Sequence, residues 1–162
     1  MKIKKFGATE QRVYDAALPF AGEAGADIYD VVFEKEGAYW YLRVFLDKDN
    51  GVDMTACEAV TRPLNKWLDE TDPIEQSYVL EVGSPGTERK LTRSEHFDKA
   101  TGKTVTLRLI RILPEYDGQK DMVCELKAYD KDFLTVLYNS IDYKVKLADI
   151  AFAKLGEISG TL

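Results

Sequence analysis

One histidine, His96, and two cysteines, Cys57 and Cys124, are the only imidazole and thiol groups in this 162-residue chain. Nucleophilic and general acid–base catalysis need such groups beside a partner that tunes their protonation. No Gly-x-Ser-x-Gly elbow and no cysteine–histidine pairing is legible. His96, among Glu95, Phe97 and Asp98, reads as a packed junction residue making one hydrogen bond. A tetrahedral zinc site wants four ligands in short-spaced pairs, whereas 66 residues separate the two cysteines. They read as small buried apolar groups in a reducing compartment, not as a disulfide framework. Gly102-Lys103-Thr104 has the ending of a phosphate-cradling loop, but Phe97 stands where that loop needs its first glycine. Asp47, Asp49, Asp53 and Glu58 fall at calcium-loop positions. Gly51 at the fifth position, Val52 at the sixth and a strand-like lead-in favour a strand-to-helix turn capped by Asp53. These patterns predict a protein that is not an enzyme and holds neither metal nor cofactor.

Binding chemistry is better supplied. Arg89, Lys90, Arg93, Lys99, Lys103, Arg108 and Arg111 make residues 84–111 locally basic, with 7 Lys+Arg against 3 Asp+Glu. Such a stretch is either a solvated surface or a contact for an anion or RNA. The whole chain carries −6; residues 1–83 hold 9 Lys+Arg against 16 Asp+Glu, and residues 84–162 hold 13 against 12. An acidic total repels nucleic acid, so any RNA contact must be directional, and the acidic half suits a basic protein partner. Tyr39 and Tyr41, on the Arg43 side of a strand, offer rings on which bases can stack. A partly covered sheet face accounts for them more simply.

The elements that must position these residues follow from hydrophobic period. A helix is predicted from residue 9 to about 24, with Val13, Ala16, Ala17 and Phe20 on one face. Thr9 is its expected cap, Gly25 its stop, and Pro19 a kink or break. Strands are predicted at 28–34 and 39–46 around Gly37, with Trp40, Leu42, Val44 and Leu46 on one face and Arg43 on the other. A second helix over 53–69 presents Met54, Cys57, Val60, Leu64, Trp67 and Leu68, interrupted by Pro63. A third strand spans 77–82. The order α-β-β-α-β predicts two helices on one face of a three-stranded sheet. Gly83-Ser84-Pro85-Gly86 marks a junction. Beyond it, a short helix at 94–100 precedes strands at 104–112, 122–129, 133–138, 143–147 and 151–155, which predict a small closed barrel. The class is α+β, with an N-terminal domain over 1–90 and a C-terminal domain over 91–162. The longest apolar stretches are strand-sized, and no apolar run follows the basic start, so neither a membrane span nor an export signal is expected.

Leu80-Glu81-Val82-Gly83-Ser84-Pro85-Gly86-Thr87-Glu88-Arg89 resembles the junction of the bacterial ribosome maturation factor RimP family, an apolar strand followed by Ser-Ser-Pro-Gly, an apolar residue, an acid and arginine. Ser84, Pro85, Gly86, Glu88 and Arg89 fit; Gly83 and Thr87 depart, and Lys90 stands where proline is usual. Glu95-His96-Phe97, Gly102-Lys103, Tyr41-Leu42-Arg43-Val44, Gly51-Val52 and Asp149-Ile150-Ala151 also fit, as does Ala153-Lys154-Leu155. The resemblance implies an SH3-like (Sm-like) barrel after the α/β domain and no catalysis. It implies a cytoplasmic, monomeric factor that associates with the free immature small ribosomal subunit and helps a basic ribosomal protein assemble with rRNA. Ser84, Pro85, Gly86 and Arg89 would form the junction and set the interdomain angle. Arg89, Lys90, Arg93, Lys103 and Arg108 would be the subunit or RNA contacts. The alternative is a stand-alone RNA-binding regulator using the barrel alone.

Overall fold

In the computed structural model, which describes residues 1–86 and 89–157, the first helix, α1 (Ala8–Glu23), runs without interruption through Pro19. Pro19 and Asp15 are both exposed. The Asp15 carbonyl, which loses its helical donor to the proline, can therefore turn to water, while the buried stripe Val13, Ala17 and Ala21 holds the turn in register. The cap position is Gly7, without a side-chain bond; Thr9 lies inside the first turn. Gly25, at φ 71, ends the helix, and the following Ala26 N–H returns to the Ala21 carbonyl at 2.9 Å.

Strands β1 (Asp27–Glu36) and β2 (Tyr39–Asp47) form an antiparallel hairpin, and β3 (Tyr78–Gly83) pairs parallel to β2, giving the order β1-β2-β3. A parallel partner requires a crossover, and α2 (Met54–Thr71) supplies it. The Asp53 carboxylate accepts from the Ala56 N–H at 2.8 Å, and α2 continues through Pro63 to Asp72, a left-handed residue at φ 44. Its buried stripe is Ala56, Val60, Leu64 and Leu68; Met54 is 79 % exposed, because the four-residue spacing runs from Ala56 and turns Met54 to solvent. Both helices bury their stripes against Ile28, Val31, Leu42, Val44 and Leu46 in a single core. Trp40 and Trp67 both belong to this unit, Phe6–Gly86.

The second unit joins Met1–Lys5 to the described part of Thr87–Leu162. Met1 and Ile3 pack against its core, and the Lys4 N–H bonds the Thr92 carbonyl at 2.7 Å. After α3 (Ser94–Ala100) come β4 (Thr104–Leu109), β5 (Asp121–Tyr129), β6 (Phe133–Tyr138), β7 (Ile141–Lys146) and β8 (Ile150–Leu155), antiparallel in the order β7-β6-β5-β4-β8. The β6–β7 turn is Asn139-Ser140, both at positive φ (51 and 65), the left-handed pair of a two-residue hairpin. β4 ends at Leu109, short of the expected residue 112; a register shift at Arg108/Leu109 breaks the ladder, and Ile110 and Ile112 are exposed.

Among the described residues the sheet is not closed, unlike the barrel expected from the strand count: β7 and β8 do not pair. The reason is local. The second edge of β8 is taken by residues 89–91, through Leu91 N–H to Ala153 O and Leu155 N–H to Arg89 O, each at 2.8 Å. The core on the inner side includes Phe97, Leu107, Met122, Leu126, Leu134 and Ile150. Among the described residues no helix is long and apolar enough to cross a membrane.

Candidate functional site

The outward side of β4 and β8 gathers cations around one ring. In β8, Ala153 is buried, so the alternation turns its neighbours Phe152 and Lys154 outward. Pairing places Arg108 opposite Phe152, Thr106 opposite Lys154, and Lys90 opposite Lys154 on the other edge. The Phe152 centroid lies 5.1 Å from Lys154 Nζ, 5.4 Å from the Arg108 guanidinium and 5.8 Å from Lys90 Nζ. Next along the rung, Asp121 accepts from Arg108 Nε at 2.6 Å and Nη2 at 2.7 Å. That fork holds the guanidinium in place. It keeps the Asp121 carboxyl below its ordinary value and raises Arg108. Val123, opposite Thr106, adds an exposed apolar group. The arrangement can meet a planar ligand with anionic flanks.

Two of the sequence-predicted contact residues, Lys90 and Arg108, are thus brought together. Lys103 is exposed at the entry to β4, and Arg89 is half-buried with its carbonyl in the β8 pairing. Arg93 does not belong to a surface contact: it is 5 % exposed, stands at the N-cap position of α3, where its carbonyl accepts from the His96 N–H at 2.9 Å, and pairs with Glu95 at 3.1 Å. Phe152 and Lys154 were not singled out from the sequence as contact residues. A strict period of two would put Phe152 on the face of the buried Ile150; the register shift that skips Ala151 turns Phe152 outward, and nothing in the apolar run Ile150-Ala151-Phe152-Ala153 signals that shift.

The first unit presents a face of opposite sign. On the side of β1–β3 away from the helices, Arg43 bonds Glu36 at 2.6 Å, Glu81 at 2.9 Å and Glu34 at 3.3 Å, and lies 4.4 Å from the Tyr41 centroid. The hydrogen bonds that Arg43 donates to Glu81 and Glu36 raise its pKa. Arg43, Phe45, Glu81, Val82, Gly83 and Ser84 line a recess there. Tyr39 is 66 % exposed and Tyr41 sits under Arg43. Three glutamates against one arginine oppose phosphate, so these tyrosines are poorly placed to stack RNA bases.

Of the junction, Ser84 Oγ accepts from the Gly86 N–H at 3.1 Å and Gly86 stands at φ 84, a conformation that favours glycine. Thr87 and Glu88 of the same motif lie outside the described residues. His96 is buried. Its Nδ1 accepts from the Thr92 N–H at 3.0 Å and the Arg93 N–H at 3.2 Å, which satisfies the backbone N–H groups just ahead of α3. Among the described residues, no group of three or more His, Cys, Asp or Glu is placed to hold a metal ion; Asp47 ends β2 and Asp53 caps α2. Both cysteines are free thiols, Cys57 half-buried and Cys124 buried.

Residues 17–88 match the family model described as the RimP N-terminal domain. The match covers most of the α1-β1-β2-α2-β3 unit and ends inside the Ser84-Pro85-Gly86 motif region. Over residues 17–88 the first unit is therefore similar to the RimP N-terminal domain.

Proposed function

We propose that this protein is a ribosome maturation factor that binds the free immature small ribosomal subunit and assists its assembly through contacts with a basic ribosomal protein and rRNA. The RimP N-terminal domain match carries the reading. The charge layout supports it, with the open acidic sheet face around Arg43 suited to a basic protein and the cations around Phe152 suited to RNA. The protein acts by binding, not catalysis, as a cytoplasmic monomer without cofactor. Its five-stranded sheet is an SH3-like barrel left open between β7 and β8, a reading supported by the single core under all five strands and by the register shifts at Leu126/Ala128 and Arg108/Leu109. Ser84, Pro85, Gly86 and Arg89 serve as the junction, and Arg89, Lys90, Lys103 and Arg108 as RNA-side contacts.

Sucrose-gradient sedimentation of lysate at moderate salt tests the role. Enrichment with free small subunits, and not with joined ribosomes or polysomes, is expected; a protein that stays at the top of the gradient at every salt concentration refutes it. A stand-alone RNA-binding regulator is the second reading. It is favoured by one observation, that the Phe152 cluster lies wholly within the second unit. It predicts binding to isolated RNA without subunit association.

A further inference from the structure

We infer that Phe152 is the stacking platform for one unpaired RNA base, with Lys90, Arg108 and Lys154 taking the phosphates on either side of it. The inference deepens the proposed RNA contact and rests on it. The ring stands on the outer side of a strand whose inner neighbours, Ile150 and Ala153, already belong to the core. Phe152 is therefore not needed to fill that core. Its three cations come from three different segments: the 89–91 edge, β4 and β8. They lie over the ring at 5.1–5.8 Å from its centroid, so a base laid on Phe152 takes their place and moves them outward to its flanking phosphates. Asp121 takes Nε and Nη2 of Arg108, so Nη1 is the guanidinium nitrogen outside that fork.

The chemistry selects the ligand. A basic protein is repelled by this cluster. An acidic peptide would satisfy the cations but gives the ring no planar partner. A base-paired nucleotide has both faces covered by its neighbours and cannot lie on a strand surface. An unpaired nucleotide supplies both a π-face and phosphates. Lys90 and Lys154, at one phosphate each, set a salt slope of about −1.4 for a single strand, because Asp121 already balances Arg108.

The test uses the full chain and a fluorescein-labelled uridine dodecamer, read by anisotropy across a salt series. The wild type is expected to bind. Phe152→Ala weakens binding by roughly fivefold or more, with the slope unchanged. Phe152→Trp binds at least as well as wild type. Lys154→Met flattens the slope by about 0.7. If Phe152→Ala unfolds, Phe152→Leu replaces it, keeping an apolar side chain without a ring. Wild-type affinity in the ring-less variant overturns the inference, as does equal binding of a duplex dodecamer. Failure to bind the dodecamer by a protein that still sediments with free small subunits overturns the stacking site and leaves the maturation reading standing. Ring-dependent binding without sedimentation does the reverse.

Discussion

Arg43→Met removes the positive group that binds three glutamates on the exposed sheet face of the first unit while keeping an unbranched apolar stem. Arg43 is 22 % exposed at its side chain, but its partners Glu81, Glu34 and Glu36 are 51 %, 52 % and 62 % exposed, so each bond is worth the small sum of a surface pair. Three such pairs give about 1–1.5 kcal/mol, and the Tyr41 contact at 4.4 Å adds about 0.5 kcal/mol. The expected loss is about 2 kcal/mol. At roughly 4–8 °C per kcal/mol for a domain of this size, the midpoint falls by roughly 8–16 °C. Tryptophan fluorescence isolates the event, because Trp40 and Trp67 both lie in the affected unit. The gap between wild type and variant should shrink by about half at 1 M salt, where the screening length is about 3 Å. A gap under about 2 °C at low salt, or one indifferent to salt, refutes the view of Arg43 as the electrostatic hub of this sheet.

Three further outcomes follow from buried or paired groups. Burial pushes the Cys124 thiol up to about 12 and raises Cys57 less, so a disulfide reagent at pH 8 should titrate one thiol in the native protein and the second only after denaturation. His96→Ala strands the Thr92 and Arg93 N–H groups and should cost about 1–2 kcal/mol in urea unfolding, whereas His96→Asn, which retains an acceptor, should recover part of it. Asp121 has a lowered folded pKa through its Arg108 bonds, so its stabilising contribution is present above the ordinary carboxylate value of about 4 and is lost as pH falls through the folded value. Asp121→Asn should therefore lower the urea midpoint by a constant amount from about pH 5 to 7, with the gap closing in more acidic solution; a gap that persists there denies the linkage.

The α-β-β-α-β order was legible because each element repeats its apolar period long enough to be counted. Val60, Leu64 and Leu68 on α2, and Leu42, Val44 and Leu46 on β2, are all core. The prolines misled for one reason. The rule for Pro19 and Pro63 concerns a lost bond, and it does not see that the affected carbonyls, those of Asp15 and Ala59, belong to exposed residues while the opposite faces are locked into the core. The basic stretch showed the converse failure. Seven cations within residues 84–111 look equivalent in sequence, yet tertiary pairing sends them to different fates: Arg93 inward beside Glu95 at the start of α3, Arg108 onto Asp121, Lys90 to Phe152. Phe152 itself was hidden by its own strand, since a one-residue difference in facing separates a core position from a contact. The edge pairing of residues 89–91 on β8 left no period at all, because three residues are too few to show one.

The net charge of −6 remains to be reconciled with a contact to RNA. At physiological salt, charges beyond about 8 Å are largely screened. A strand reaching Phe152 then meets the charges around that ring, Lys90, Arg108, Lys154 and Asp121 among them, and not the total. At roughly 0.01 M salt the screening length grows to about 30 Å, and the acidic remainder repels the incoming phosphates before the cluster can hold them. Salt therefore acts in opposite directions on the two rate constants. Association with the uridine dodecamer should stay flat or rise on going from about 0.01 to 0.15 M, while dissociation accelerates throughout, because the short contacts at the cluster weaken continuously. Stopped-flow anisotropy separates the two. An association rate that falls steeply from the lowest salt, as for a protein whose whole surface attracts RNA, would deny that the contact is confined to this cluster.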